Sequence, residues 1–183
     1  MQSVFVAGSR TLSKLNEQVR TRLDNIVKQN FTVLVGDANG ADKAVQRYLA
    51  DQDYKHVVVY CMDVCRNNVG NWRTRAHNTE SSRRHDRQYY GIKDLAMAKD
   101  AECGFMIWDG VSKGTLTNVV NLLKTKKRVL LYSAPQKDFF TIRTREDLDH
   151  ALMASGIQDV SGFLASLALP EAEPSHLHLA FRS

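Results

Sequence analysis

Short apolar, β-branched runs alternate with longer segments of helical period through the first 132 residues, and glycine closes the first two of the runs. Residues 3–7 (SVFVA) end at Gly8, and residues 31–35 (FTVLV) end at Gly36. Residues 56–60 (HVVVY), 103–108 (CGFMIW) and 128–132 (RVLLY) are three more runs of the same kind. Between them, Leu12, Leu15, Val19, Leu23, Ile26 and Val27 recur at helical spacing. Ala41, Ala44, Val45, Tyr48 and Leu49 share one face of a second helix, and Leu116, Val119, Val120, Leu122 and Leu123 mark another. Strands that are apolar on both sides need helices over both faces. The pattern therefore predicts an α/β, Rossmann-like, doubly wound sheet, mainly parallel and five-stranded, spanning residues 1–132. Residues 133–183 are expected to form a C-terminal extension or tail.

Two regions depart from the alternation. Residues 61–85 are polar, lack apolar period and read as a long insertion, which in a compact domain is often functional. Residues 86–100 read as a helix that packs through Tyr90, Leu95, Met97 and Ala98, with Gly91 interrupting it. Beyond Tyr132, residues 139–144 suit an edge strand and 145–155 a helix. The last residues (PEAEPSHLHLAFRS) place Leu177, Leu179 and Phe181 in alternation, which would suit contact with another copy of the chain in a homo-oligomer.

Composition removes several classes. With 43% apolar and 25% charged residues, the chain is neither disordered nor fibrous. Its longest apolar run, residues 57–62, is far below the roughly 20 residues of a membrane-spanning helix, so no membrane partner is expected. The first ten residues lack the basic flank and long apolar stretch of a secretory signal. Three sparse cysteines suit a reducing compartment, and a cytoplasmic location is expected. Cys61 and Cys65 with one distant His85 fall short of a zinc set, and neither metal nor cofactor is expected. There is no Walker A sequence. A net charge of +5 permits an anionic ligand without requiring nucleic acid.

Three strand-to-helix loops carry groups suited to an anion. Gly8-Ser9-Arg10 offers a hydroxyl, an amide and a planar cationic fork that matches phosphate or carboxylate. Gly36-Asp37-Ala38-Asn39-Gly40-Ala41-Asp42 holds two glycines ahead of a helix whose first amides and positive pole suit phosphate. Asp42 would cap that helix or accept from a ribose hydroxyl. Asp109-Gly110-Val111-Ser112-Lys113-Gly114-Thr115 repeats the arrangement, with Asp109 placed to accept from a sugar and Lys113 adding charge. Each loop alone would also serve as a ligand-free turn. By topology all three meet at one edge of the sheet.

The order GSR, GDANGAD, DGVSKGT resembles the SLOG superfamily, the group of DprA (SMF) proteins, LOG-type phosphoribohydrolases and small YspA-like proteins. It is most similar to the YspA-like branch, over residues 3–132. The resemblance implies a domain that binds a nucleotide or nucleotide-derived phosphate, such as a nucleotide sugar or an ADP-ribose-like molecule, as a sensor or binding protein. It assigns binding to Gly8, Ser9, Arg10, Gly36, Gly40, Ala41, Asp42, Gly114 and Thr115. LOG enzymes follow the Gly-Thr pair with glutamates, whereas Leu116, Thr117 and Asn118 stand here. A LOG-like enzyme acting at an N-glycosidic bond is the alternative, with Asp86, Asp100 or Asp109 supplying the carboxylate.

Residues 61–90 hold six arginines against three acids, a local +3 within the chain's +5. Trp72, Tyr89 and Tyr90 interleave with this charge, the mixture that stacks bases and grips phosphates. The segment is expected to act as a lid, with Trp72 stacking and Arg73 and Arg84 beside it. A solvated loop is the plainer reading. An open groove past Arg73, Arg83 and Arg84 would instead suit a DprA-like binder of single-stranded nucleic acid.

Overall fold

The structure, a computed structural model, describes residues 2–77 and 87–167. Its centre is a seven-stranded sheet in the order β4-β3-β2-β1-β5-β6-β7. The strands are β1 (Ser3–Gly8), β2 (Thr32–Gly36), β3 (Val57–Met62), β4 (Arg73–His77), β5 (Cys103–Trp108), β6 (Val129–Ser133) and β7 (Asp138–Ile142). All pairings are parallel except β6 with β7. The helices are α1 (Glu17–Lys28), α2 (Ala41–Asp51), α3 (Arg87–Asp100), α4 (Lys113–Lys124), α5 (Arg145–Ala154) and α6 (Val160–Ala165).

Alternation along β1 divides the core. Val4 and Val6 join Val19 and Leu23 of α1 and Val45 and Leu49 of α2 on one face. Phe5 and Ala7 join Met97 of α3, Leu116, Val119 and Leu122 of α4, and Leu148 and Leu152 of α5 on the other. The fold is therefore α/β, a mostly parallel sheet between two helical layers, consistent with a Rossmann-like architecture.

The sheet has seven strands rather than five. β4 lies inside the segment expected to be an insertion without regular structure. Its residues, RTRAH, are almost all exposed and carry no apolar pattern. Backbone pairing with β3, from Val58 with Arg73 to Met62 with His77, makes it a strand. Such polarity is typical of an edge, where charge discourages further pairing. β7 and α5 form where the 139–144 and 145–155 patterns suggested, and Thr144 closes a reciprocal capping box with Asp147 at the start of α5. Leu177, Leu179 and Phe181 lie outside the described residues.

β1 pairs with β2 on one side and β5 on the other. The chain therefore runs outward from β1 through β4, then returns across the sheet. In open parallel sheets a crevice forms at such a reversal, outside the carboxyl ends of the strands. Among the described residues, no helix is long and apolar enough to cross a membrane.

Candidate functional site

A cleft of about 600 Å³ lies at this reversal, above the ends of β1, β2 and β5. Of the residues expected at the site, Gly8, Arg10, Asp42, Asp109, Ser112, Gly114 and Thr115 line it. They are joined by residues the loop motifs did not indicate: Thr11, Tyr90, Lys93, Asp94, Thr117, Asn118 and Asn121.

Ser9 is fully buried and does not itself line the cleft. Its Oγ accepts from the Asp109 amide at 3.1 Å and shares a hydrogen bond with Thr115 Oγ1 at 3.3 Å. Its carbonyl accepts from the Ala41 amide at 3.1 Å. One residue thus ties the loops after β1, β2 and β5 together. Gly8 and Gly40 permit this closeness. A Cβ on Gly8 would collide with Ile107 and Ala41, and one on Gly40, at φ +81°, with the Arg10 backbone.

Asp109 lines the cleft with a carboxylate already engaged by its own surroundings. Oδ2 accepts from Thr11 Oγ1 at 2.6 Å, and Oδ1 from the Val111 and Ser112 amides at 3.0 and 2.7 Å. Burial works against its charge, but these donors hold the carboxyl below its ordinary value. Its role is to shape the turn into α4. Ser112 caps that helix without a side-chain bond to its amides, and Gly114 has open space where a side chain would project. The first turn of α4 therefore offers amides and a positive pole to the cleft. Lys113 is exposed and lies outside the cleft lining.

Residues 110–114 (GVSKG) also have the G-x-S-x-G spacing of a nucleophile elbow. Ser112 lacks that geometry. Its backbone, at φ −66° and ψ 110°, is unstrained, and its Oγ accepts from Thr115 Oγ1 at 3.2 Å. Among the described residues, no histidine lines the cleft.

A charged network underlies the other wall. Asp37, expected to meet ligand, is 1% exposed and does not line the cleft. Burial alone would raise its pKa, but hydrogen bonds from Arg66, aided by Lys93, hold it below the ordinary value. Lys93, 3% exposed, lies 3.0 Å from Asp94 and 3.8 Å from Asp37. Its burial opposes the charge, but Asp94, Asp42 and Asp37 outweigh it, and the lysine stays cationic. Asp42 behaves differently. It does not cap α2 but accepts from the Ala38 amide at 3.3 Å. Burial pushes its carboxyl up to about 6 against the pull of Lys93. Gly36 lies directly beneath, and a side chain there would strike Asp42 and Lys93.

The stacking role expected of Trp72 needs correcting. Trp72 is 8% exposed, sits in the α1–α2 face of the core, and donates from Nε1 to the Tyr54 carbonyl at 2.7 Å. Its indole is spent on packing and does not face the cleft. Tyr90 occupies the wall instead, its ring centroid 4.4 Å from the Arg66 guanidinium and 5.7 Å from that of Arg10. Arg73 stands on the edge strand, away from the cleft lining. Arg84, with Arg83, His85 and Asp86, lies outside the described residues.

Asp100 also lies elsewhere. Its carbonyl accepts from Ser3 Oγ at the start of β1, the opposite edge of the sheet. Its carboxylate accepts from Tyr60 Oη at 2.7 Å and pairs with Arg75. It is a structural ion pair rather than a site carboxylate.

Lys93 had a signal in the sequence. Tyr89, Lys93 and Met97 are spaced by four, and all three are buried. A lysine on the buried stripe of a helix needs anionic partners. Thr117, Asn118 and Asn121 had one too, as a polar stripe continuing Gly114 on α4. Comparison with protein-family models and with curated proteins returned no match.

Proposed function

We propose that the cleft binds a nucleotide or nucleotide-derived phosphate, and that the chain works as a ligand sensor or binding protein of the SLOG type, near the YspA-like branch. The observation that carries this reading is the meeting of three glycine-bearing strand-to-helix turns at the sheet reversal, knitted through Ser9. Phosphate would lie against the first turn of α4 beside Gly114 and Thr115, with Arg10 supplying positive charge. Tyr90, with Arg66 over its ring, would supply aromatic surface for a base. The stripe Thr117-Asn118-Asn121 is neutral where LOG enzymes carry glutamates, which favours binding over turnover.

Thermal-shift titration with inorganic phosphate, AMP, ADP-ribose and single-stranded DNA tests the reading. A ligand at 100 times its Kd stabilises by about 2.7 kcal/mol, an easily measured shift. Arg10→Ala should reduce the response. The reading fails if no phosphate-bearing probe moves the melting temperature.

One observation favours an enzyme as the second reading. Asp42, Asp94 and Asp109 line the same cleft, and burial brings Asp42 to about 6, within the range of a general acid or base. Release of free adenine from AMP, lost in Asp42→Asn, would establish it.

A further inference from the structure

Asn118 stands one helical turn beyond Gly114 on α4, lines the cleft and is 5% exposed. Among the described residues, its Oδ1 has no hydrogen-bond partner. A buried amide oxygen without a donor is rare in folded proteins and carries a penalty. The hydroxyls nearby on the helix are directed elsewhere. Thr115 Oγ1 donates to Ser112 Oγ, and Thr117 Oγ1 donates to the Lys113 carbonyl at 2.9 Å. Asn118 does not face the core either, which α4 fills with Leu116, Val119 and Leu122.

We propose that Asn118 is a specificity residue that accepts a hydrogen bond from a sugar hydroxyl of the bound ligand. The inference rests on the phosphate reading of the cleft. An amide oxygen is an acceptor only, so phosphate oxygens, ether oxygens and ring faces cannot satisfy it, and an O–H or N–H can. One turn of helix advances 5.4 Å from the first-turn amides. A pentose 5-phosphate anchored at the head of α4 brings its ring hydroxyls to that depth, and the base falls further away. The positive pole thus meets the anion, and the neutral stripe behind it meets the sugar.

This role has a signature in the empty protein. Leucine has the shape of asparagine's branched end without its polar atoms, and replacing an unpaired polar group by such a residue is neutral or stabilising. Asn118→Leu should therefore melt at the wild-type temperature or above it without ligand, yet lose recognition of the sugar. A structural asparagine would lose stability instead.

Titration calorimetry of the full chain with inorganic phosphate, ribose 5-phosphate, AMP and 2′,3′-dideoxy-AMP decides it. Wild type should bind AMP at least about tenfold more tightly than dideoxy-AMP. Ribose 5-phosphate should keep a comparable advantage over inorganic phosphate. Asn118→Leu should bind AMP and dideoxy-AMP alike, with its affinity for inorganic phosphate unchanged. The proposal is overturned if wild type binds the two nucleotides equally or if the variant still separates them. It is also overturned if ribose 5-phosphate gains nothing over phosphate, which would assign the donor to the base, or if the empty variant melts below wild type. If no probe binds wild type, the phosphate reading itself falls, a result distinct from equal binding.

Discussion

Arg66 closes on Asp37 with three donors: Nη2 is 2.7 Å from Oδ1, and Nε and the backbone amide are 3.0 and 3.1 Å from Oδ2. The contact fastens the loop between β3 and β4 to the turn after β2. Asn67 adds a bond from Nδ2 to the Asp37 carbonyl at 2.7 Å, and Gln46 bridges the Gly36 and Asn67 carbonyls. Asp37→Asn would take the paired carboxylate from the partly exposed Arg66, while Lys93 would keep Asp94. The expected loss is about 2 kcal/mol, below that of a fully buried pair because solvent reaches the Arg66 guanidinium. Urea unfolding at pH 7 measures it, and a loss under about 1 kcal/mol would mean that the pair is dispensable.

The strands that carry the fold were legible because parallel strands buried on both faces are apolar along their buried length, as residues 4–7, 33–35 and 103–108 are. β4 was not legible, because an edge strand owes its form to backbone pairing with Val58–Met62 rather than to its own side chains. The glycine turns announced themselves through φ and close approach at Gly8 and Gly40. The roles of their acids did not. Asp37, Asp42 and Asp109 look alike as letters, yet one is locked to an arginine, one is buried and easily protonated, and one shapes a turn. Those differences come from Arg66, Lys93 and Thr11, which reach them from other segments. Trp72 misled for a related reason: an indole amid arginines reads as a stacking platform until the Tyr54 carbonyl claims its N–H.

Trp72 and Tyr90 should therefore separate on mutation. Trp72→Phe loses the bond to Tyr54 and some packing, a cost of about 1–2 kcal/mol in chemical unfolding. Its affinity for AMP should stay within about twofold of wild type. Tyr90→Ala should weaken AMP at least about fivefold if the ring carries a base, while inorganic phosphate binding changes little. Calorimetry on both variants checks the pair, and a large affinity loss in Trp72→Phe alone would restore the tryptophan as the platform.

Two glycines make opposite predictions. Gly40 has φ +81° and no room for a Cβ beside Arg10, so Gly40→Ala should destabilise by about 2 kcal/mol or more. Gly114 is helical with no atom near its would-be side chain, so Gly114→Ala should fold as well as wild type or slightly better. The added methyl nevertheless projects where phosphate would rest. Melting temperature and phosphate affinity should part company in Gly114→Ala: the first held or raised, the second reduced. Unchanged phosphate affinity would move the anion away from the head of α4.

Asp42 gives the protein a pH dependence of unusual sign. Its folded pKa of about 6 lies above the ordinary 3.8, so between those values the native state holds more protons than the unfolded state. Stability from this group therefore falls as pH rises through that window and is lowest above about pH 7. The full effect is about 3 kcal/mol, at 1.36 kcal/mol for each unit of difference. Asp37 and Asp109, whose values are lowered, act in the opposite sense: their stabilisation is present above 3.8 and is lost as pH falls through their folded values. Asp42→Asn mimics the protonated acid and should be close to wild type in stability at pH 4. By pH 8 it should be more stable by up to about 3 kcal/mol, less whatever Lys93 loses with the charge. Urea titrations of both proteins at pH 4, 6 and 8 give the curve, and a difference that does not change with pH would show that Asp42 titrates as an ordinary carboxylate.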